Sequence, residues 1–420
     1  MKSIIFHVDV NSAFLSWEAV YRLTHKGGKR DLREIASAVG GDVTLRHGII
    51  LAKSIPAKNY GIKTGETILE AQRKCPKLIL VPPNYNLYEK CSTALIEILK
   101  EYSDVVEQYS IDEAFVDMSA SCHLFGAPET VAVQIKRRIR EELGFTVNVG
   151  VSNNKLLAKM ASDLRKPDRV HTLYPEEIKT KMWPLPVSDL FFVGRATANR
   201  LLSMGIRTIG ELAQADPVWL KSMLKKQGEL IWSFANGIDL SPVLERPAAN
   251  KGYGNSTTMP FDVMDMETAD QVLLALSETI ANRLRTDGVQ ICMVSVGIRY
   301  TDMSYASHQK ILQSPTNLTV EIYWAACRLL RELWNGRPIR HLGVHTGKVG
   351  RTDLGRQLSI FDEVDYEKLV RLDQTVDRIR KRYGADAVMR AVFLNRPIDH
   401  MSGGISREKR SVDYDKVMIL

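Results

Sequence analysis

Apolar positions along the chain fall into short runs of two kinds, near-continuous and helically spaced. IIFHV at 4–8 is a near-continuous run that ends in Asp9, and AFLSWEAVYRL at 13–23 spaces its apolar residues along one face of a helix. A buried strand that delivers an acid to the start of a helix is therefore predicted. RHGIILAKS (46–54) and LILVPP (78–83) predict strands, with a basic loop holding Pro56 and Gly61 and a helix at ILEAQRKCP (68–76) between them. NLYEKCSTALIEILKEYS (86–103) predicts a helix, DVVEQYSI (104–111) and AFVDMS (114–119) a hairpin, TVAVQIKRRIREELG (130–144) an amphipathic helix and FTVNVGVS (145–152) a further strand. This order predicts α/β architecture, one sheet covered by helices.

From NKLLAKMASDLRKPDR (154–169) the texture changes to helices and short turns as far as about residue 240. A connector bearing Pro and Gly, SPVLERPAANKGYGNS (241–256), leads to a helix at 269–288, a strand at 291–302, a helix at 321–334 and a strand at 339–349. That pattern predicts a separate α+β module of about a hundred residues. Beyond it, RQLSIFDEV (356–364) precedes one charged helix, and the final SREKRSVDYDKVMIL (406–420) is expected to lack fixed structure.

At 420 residues the chain has room for about three domains with real cores. Its 57 Lys and Arg against 49 Asp and Glu favour a polyanionic partner, with nucleic acid first among candidates. The five cysteines are scattered and lack CxxC spacing, so neither a disulfide framework nor a zinc site is expected. No segment approaches the ~20 apolar residues of a membrane span, and the N-terminal run is too short for a signal peptide. A cytoplasmic monomer without membrane contact is expected.

Asp112 and Glu113 stand side by side in YSIDEAFVDMS (109–119), inside what otherwise reads as buried hairpin. Side chains alternate along a strand, so the two acids share a site only if the backbone bends beside them. Buried without a partner they would cost several kcal/mol, roughly, so solvent or a cation must offset their charge. Asp9 is a third acid at a strand edge, and three carboxylates suit two Mg²⁺ ions about 3.5–4 Å apart, the arrangement that serves phosphoryl transfer. Spacing alone leaves open that they are ordinary surface acids beside strands.

Four segments narrow the choice: DVNSAF (9–14), AKSIPAKNYGIKTG (52–65), YSIDEAFVD (109–117) and GVSNNKLLAKMASDLRKP (150–167). In this order and at this spacing they resemble the Y-family translesion DNA polymerases, over roughly residues 3–350. The resemblance implies a right-hand polymerase: palm at 1–12 and 80–168, small fingers at 13–79, thumb at 169–240, little finger at 250–350 and a C-terminal tail at 351–420. It implies template-directed DNA synthesis across damage from deoxynucleoside triphosphates on primer-template DNA, with no stretch left over for proofreading.

Carried onto matching positions, the family's metal-binding acids fall on Asp9, Asp112 and Glu113, with the Val10 carbonyl as a further ligand for two Mg²⁺ ions. Phe14 lands where the family places a bulky side chain against the ribose 2′-OH, and Lys58 and Lys155 where basic residues contact the incoming triphosphate. Asn11 stands where many members have a second acid, as in the polymerase V catalytic subunit. Ile55 and Lys58 replace a Tyr and an Arg common in polymerase IV-like members. DLFFVGRATANRLLSMGIRTIGELA (189–213) resembles a helix-hairpin-helix whose turn at Gly194 meets a DNA phosphate, with Phe192 where a first glycine is common. GNSTTMPFD (254–262) and VGIRYTDMSYASHQKIL (296–312) resemble little-finger strands, which puts Arg299 and Lys310 on the DNA backbone. Gln357, Leu358, Ile360 and Phe361 fit the peptide by which bacterial polymerases dock on the sliding clamp. A non-catalytic DNA-binding adaptor and a nucleotidyl cyclase are the rivals; retention of all three acids opposes the first, and the hairpin and C-terminal module oppose the second.

Overall fold

The computed structural model describes residues 3–41, 48–246, 249–351 and 365–394, with Ile398 and His400. The opening apolar run is β1 (Ile5–Val10), buried along its whole length. It is followed by α1 (Ala13–His25), β2 (Ser37–Gly40), β3 (Ile50–Lys53), α2 (Ile55–Asn59), α3 (Ile68–Lys74), β4 (Ile79–Val81) and α4 (Tyr85–Lys100). The predicted hairpin is β5 (Val106–Gln108) and β6 (Glu113–Asp117), and α5 (Pro128–Leu143), β7 (Val147–Ser152), α6 (Lys155–Asp163) and β8 (Val170–Thr172) complete the first unit.

Five strands form the main sheet in the order β5-β6-β1-β7-β8, with β1 antiparallel to both neighbours. Alternation along β1 divides its side chains between two layers. Phe6, Val8 and Val10 pack with Leu95 and Leu99 of α4 and Val131, Ile135 and Ile139 of α5. Full burial of each of these apolar side chains is worth about 1.5–3 kcal/mol, which fixes the register of the strand. Ile5 joins Phe115 and Ala158 of α6 in a smaller cluster, so His7 and Asp9 share the α6 side. The helix comes close because β7 carries Gly150, where an added Cβ would lie 1.9 Å from the Ala158 carbonyl oxygen.

The expectation of a single sheet is corrected. β3 and β4 do not join the main sheet; both pair with β2, an element absent from the sequence prediction, in a separate sheet of order β3-β2-β4. Both edges of β1 are already taken by β6 and β7, and the small sheet closes on its own cluster of Ala38, Ile50, Ile62, Ile68 and Ala71.

The helical stretch forms α7 (Arg195–Ser203), α8 (Ile209–Gln214), α9 (Pro217–Leu224) and α10 (Lys226–Ala235). Leu201, Ile209, Leu212, Leu220 and Ile231 form its core and continue onto Leu156, Leu157 and Met160 of α6.

The C-terminal module runs β9 (Gly254–Val263), α11 (Met266–Thr286), β10 (Val289–Tyr300), β11 (Tyr305–Thr316), α12 (Thr319–Leu333) and β12 (Ile339–Arg351), in an antiparallel sheet of order β11-β10-β12-β9. α11 and α12 cover the face bearing Val294, Val296, Ile298, Leu342 and Val344. In the tail, α13 (Tyr366–Tyr383) packs against the C-terminal module. Arg285 of α11 sits between Asp373 and Asp377 at 3.0 and 2.6 Å, and buried Glu278 accepts from Arg380 at 3.1 Å and from Arg390. Phe393 and Ile398 are buried in the same core as the sheet. Gln357, Leu358, Ile360 and Phe361, and the last fifteen residues, lie outside the described residues. Among the described residues no helix is long and apolar enough to cross a membrane.

Candidate active site

Asp9 is the fifth residue of β1 and is buried, with its Cα opposite Glu113 of β6 on one side and Asn148 of β7 on the other. The hairpin between β5 and β6 closes tightly: the main-chain N–H groups of Tyr109 and Ser110 both donate to the Glu113 carbonyl, at 3.0 and 3.1 Å. Asp112 sits in this turn rather than in the strand. Val10 N–H donates to the Asp112 carbonyl at 3.0 Å and the Ser110 hydroxyl donates to Asp112 Oδ1 at 2.7 Å. The bend that two adjacent acids require is therefore present, and Asp112 lies within electrostatic reach of both Asp9 and Glu113.

The environments of the two neighbours differ. Burial pushes the Asp112 carboxyl above its ordinary value, and the like charges of Asp9 and Glu113 add to the rise against the Ser110 bond. Burial opposes ionisation of Glu113 too, but His7 and Lys159 outweigh it and bring that carboxyl down to about 2. Lys159 Nζ bridges Glu113 Oε1 at 3.1 Å, Asp163 at 3.4 Å and Asp9 at 3.6 Å. Lys166 reaches Asp9 and lies 2.8 Å from Asp163. Burial lowers the pKa of both lysines, and the surrounding carboxylates more than restore it, so both stay charged.

Lys159 and Lys166 were not among the residues singled out from the sequence, although both lie in the segment that carried the resemblance. The available signal was lysine spaced four residues from Lys155 on a helix beside the acids. Lys155 makes a different set of contacts. Its ammonium lies 2.7 Å from Glu107 Oε2 and 3.4 Å from the Pro242 carbonyl, over the Phe115 ring, and is only 12% exposed. Glu107 also accepts from Leu244 N–H at 2.7 Å, and Val243 is buried against Ile5, Phe115 and Ala158. Lys155 thus ties the connector after α10 to the main sheet.

Phe14 stacks on Tyr88 at 4.4 Å between ring centroids and 8° between planes and is half-buried. Asn11 is held by hydrogen bonds to Asn148, Thr146 and Asp168. Its Nδ2 donates to Asn148 Oδ1 at 3.1 Å, and its Oδ1 accepts from Thr146 Oγ1 at 3.0 Å and Asp168 N–H at 2.9 Å, while Asn11 N–H donates to the Thr146 carbonyl. An acid could not make the first of these bonds, so the amide is a structural choice. Lys58 is exposed on α2, whose first turn is capped by Ser54 Oγ accepting from Ala57 N–H at 3.1 Å.

Gly194 is the cap residue of α7, as the hairpin requires, and Phe192 adopts a positive φ of 69° in the place of the expected glycine. Gln227 Nε2 donates to the Phe192 carbonyl at 2.8 Å and holds that turn. Arg299 and Lys310 part company. Arg299 pairs with Tyr305 and belongs to the uncovered face, whereas Lys310 pairs with Val294 and points to the face that α11 and α12 cover. His308, two residues from Lys310 on that face, meets Glu332 of α12 at 3.3 Å.

Among the described residues no three acidic, imidazole or thiol groups are drawn together closely enough to hold a metal ion as they stand. The acids nevertheless form an all-oxygen donor set whose charge is at present offset by ammonium groups and in which burial, and then mutual repulsion, raises Asp112. Such a set fits a hard divalent cation.

A model described as the impB/mucB/samB family matches residues 8–163, its C-terminal domain matches 250–360, and the family's HHH motif matches 175–206. The architecture is that of a right-hand polymerase with palm, fingers, a hairpin-bearing thumb and a little finger. The chain belongs to the impB/mucB/samB family, the Y-family DNA polymerases of bacteria. It is 44% identical over 397 residues to DNA polymerase IV of Clostridium acetobutylicum, spanning 94% of this chain and 99% of that one. DNA polymerase IV of Acetivibrio thermocellus is 39% identical over 94% of this chain and 98% of its own length, and DNA polymerase IV 2 of Bacillus subtilis is 37% identical over 94% and 95%. Among solved structures, a Y-family DNA polymerase chimera superposes with a TM-score of 0.70 at 25% identity, covering 83% of this chain and all of the chimera.

Proposed function

We propose that this DNA polymerase extends primers across damaged template without proofreading, by nucleotidyl transfer assisted by two Mg²⁺ ions. The observation that carries the reading is the meeting of Asp9, Asp112 and Glu113 on one end of the palm sheet, with Lys159 and Lys166 beside Asp9 and Glu113. Asp9, Asp112, Glu113 and the Val10 carbonyl would hold the ions, which when bound stabilise charge on the attacking and leaving oxygens. The chain's own residues then do the rest. Lys159, released from the acids, is positioned on α6 to meet the triphosphate, Lys58 supplies a further point charge from the fingers, and Phe14 closes the ribose side. On the DNA, the α7 amides beyond Gly194 and Arg299 of the open sheet face contact phosphates without reading bases. The test is primer extension by purified full chain over an abasic or bulky adduct with Mg²⁺ and deoxynucleoside triphosphates. Synthesis that stops at every lesion while proceeding on intact template would refute the translesion part.

The sliding clamp is the second proposed partner, through Gln357, Leu358, Ile360 and Phe361. Burial of each apolar side chain is worth roughly 1.5–3 kcal/mol, so removing two should cost about 3–6 kcal/mol, enough to turn micromolar binding into none measurable. Leu358→Ala with Phe361→Ala should abolish clamp-dependent processivity and spare distributive synthesis; clamp binding as tight as the parent's would exclude this peptide.

A further inference from the structure

His7 lies beneath the acids and takes no part in the chemistry above. Its ring is fully buried on the α6 side of β1, 4.6 Å from the Phe115 ring between centroids. Nδ1 is 2.8 Å from the Ser162 hydroxyl, and Nε2 is 3.4 Å from Glu113 Oε2 but makes no closed hydrogen bond. A buried polar atom so placed needs a partner, and Glu113 is the group it faces.

The proton inventory fixes the ring's state. Ionised Glu113 can only accept, so an imidazole lone pair directed at it would be repulsive and Nε2 must carry the proton. The other nitrogen, Nδ1, is held by the Ser162 hydroxyl. That hydroxyl donates to the Lys159 carbonyl at 2.8 Å, which ties the Nδ1 side of the ring to α6.

The two Glu113 oxygens are thereby shared out. Oε1 meets Lys159, which also serves Asp9 and Asp163 and is a side chain with four rotatable bonds; Oε2 meets a ring locked in the core. We propose that His7 is a positioning residue for Glu113: Ser162 anchors its Nδ1 side, its Nε2–H holds Oε2, and Oε1 is left oriented toward the cation that displaces Lys159. This rests on Glu113 being a metal ligand, as read above.

Full-length His7→Phe, His7→Gln, Ser162→Ala and Glu113→Gln are compared in single-nucleotide insertion at saturating triphosphate while Mg²⁺ is titrated. His7→Phe fills the ring's place without a donor and is expected to raise the half-saturating Mg²⁺ concentration about tenfold and to lower kcat, with triphosphate KM and primer-template affinity unchanged. His7→Gln keeps an N–H directed at Glu113 and should recover most of the loss. Ser162→Ala should move the Mg²⁺ requirement in the same direction by a smaller factor, and it decides the matter if His7→Phe does not fold by circular dichroism. An unchanged Mg²⁺ requirement in the folded variants, with Glu113→Gln inactive, overturns the proposal. An active Glu113→Gln overturns the metal reading beneath it.

Discussion

Glu113→Gln and Asp112→Asn should shift the stability of the metal-free protein in opposite directions, although the residues are neighbours. Glu113 is held at about 2 against an ordinary 4.5, which at about 1.4 kcal/mol per pH unit converts to roughly 3 kcal/mol. Its side chain is 22% exposed and the site is open to solvent on one side, so screening reduces this to about 1–2 kcal/mol. The folded value is depressed, so the contribution is present above pH 4.5 and is lost as pH falls from there toward 2. Asp112 is raised above its ordinary 3.8, by burial and then by its charged neighbours. The native state therefore holds that proton more tightly than the unfolded chain, and stability falls as pH rises through this window. Near neutrality the whole penalty is in force. Asparagine removes it and keeps an oxygen to accept from Ser110.

The assay is thermal unfolding of the full chain in chelator at pH 7, following the palm transition because several domains unfold here. Glu113→Gln should lower that midpoint by about 2–8 °C, given ~2–4 °C per kcal/mol for a unit of this size, and Asp112→Asn should raise it. The Glu113→Gln deficit should narrow as pH approaches 4. Added Mg²⁺ should stabilise the parent and neither variant, since only a binding native state gains by mass action. Midpoints that move the same way in both variants would refute the electrostatic reasoning.

Legibility in the sequence followed the physics of each element. β1 announced itself because a six-residue buried strand between two neighbours must be almost wholly apolar, and an acid at its end stands out. β2 did not, because four small residues, SAVG, carry neither alternation nor bulk, and without β2 the strands around it were assigned to the wrong sheet. The docking of α13 was hidden for the opposite reason. Its one buried position is Asp373, an acid that reads as solvent-facing until it is seen paired with Arg285, and the apolar Leu369, Val376 and Ile379 around it are only half-buried.

Three site assignments depended on tertiary facts that residue types do not carry. Lys155 and Lys159 occupy successive turns of α6, and what sends one to Glu107 and the other to the acids is the position of β5 and of the connector. Whether Arg299 and Lys310 share a face depends on the parity of the register through the turn at 301–304, and the observed pairing separates them. Asn11 departs from the family's acid because Asn148, opposite Asp9 on β7, presents an acceptor that only an amide can meet.

The remaining expectations concern the other sites. Phe14→Ala should admit ribonucleotides in single-nucleotide insertion and, through loss of the Tyr88 stack, cost about 2 kcal/mol of stability; unchanged sugar discrimination would leave the ring a packing residue only. Arg299→Ala should weaken primer-template binding and reduce its salt slope by ~1, whereas Lys310→Ala should change neither; equal effects would mean that both faces of the little-finger sheet meet DNA. Lys155→Met should destabilise the protein by about 3–5 kcal/mol, because Glu107, 13% exposed, would be left as a buried charge with Leu244 N–H as its remaining donor. Replacing both partners, Lys155→Met with Glu107→Leu, should restore most of that loss, since neither charge is then stranded. Triphosphate KM should stay at the parent value in both variants, as the ammonium is committed to Glu107 and the Pro242 carbonyl. A stable Lys155→Met enzyme with a much raised KM would show instead that this lysine leaves Glu107 for the triphosphate during synthesis.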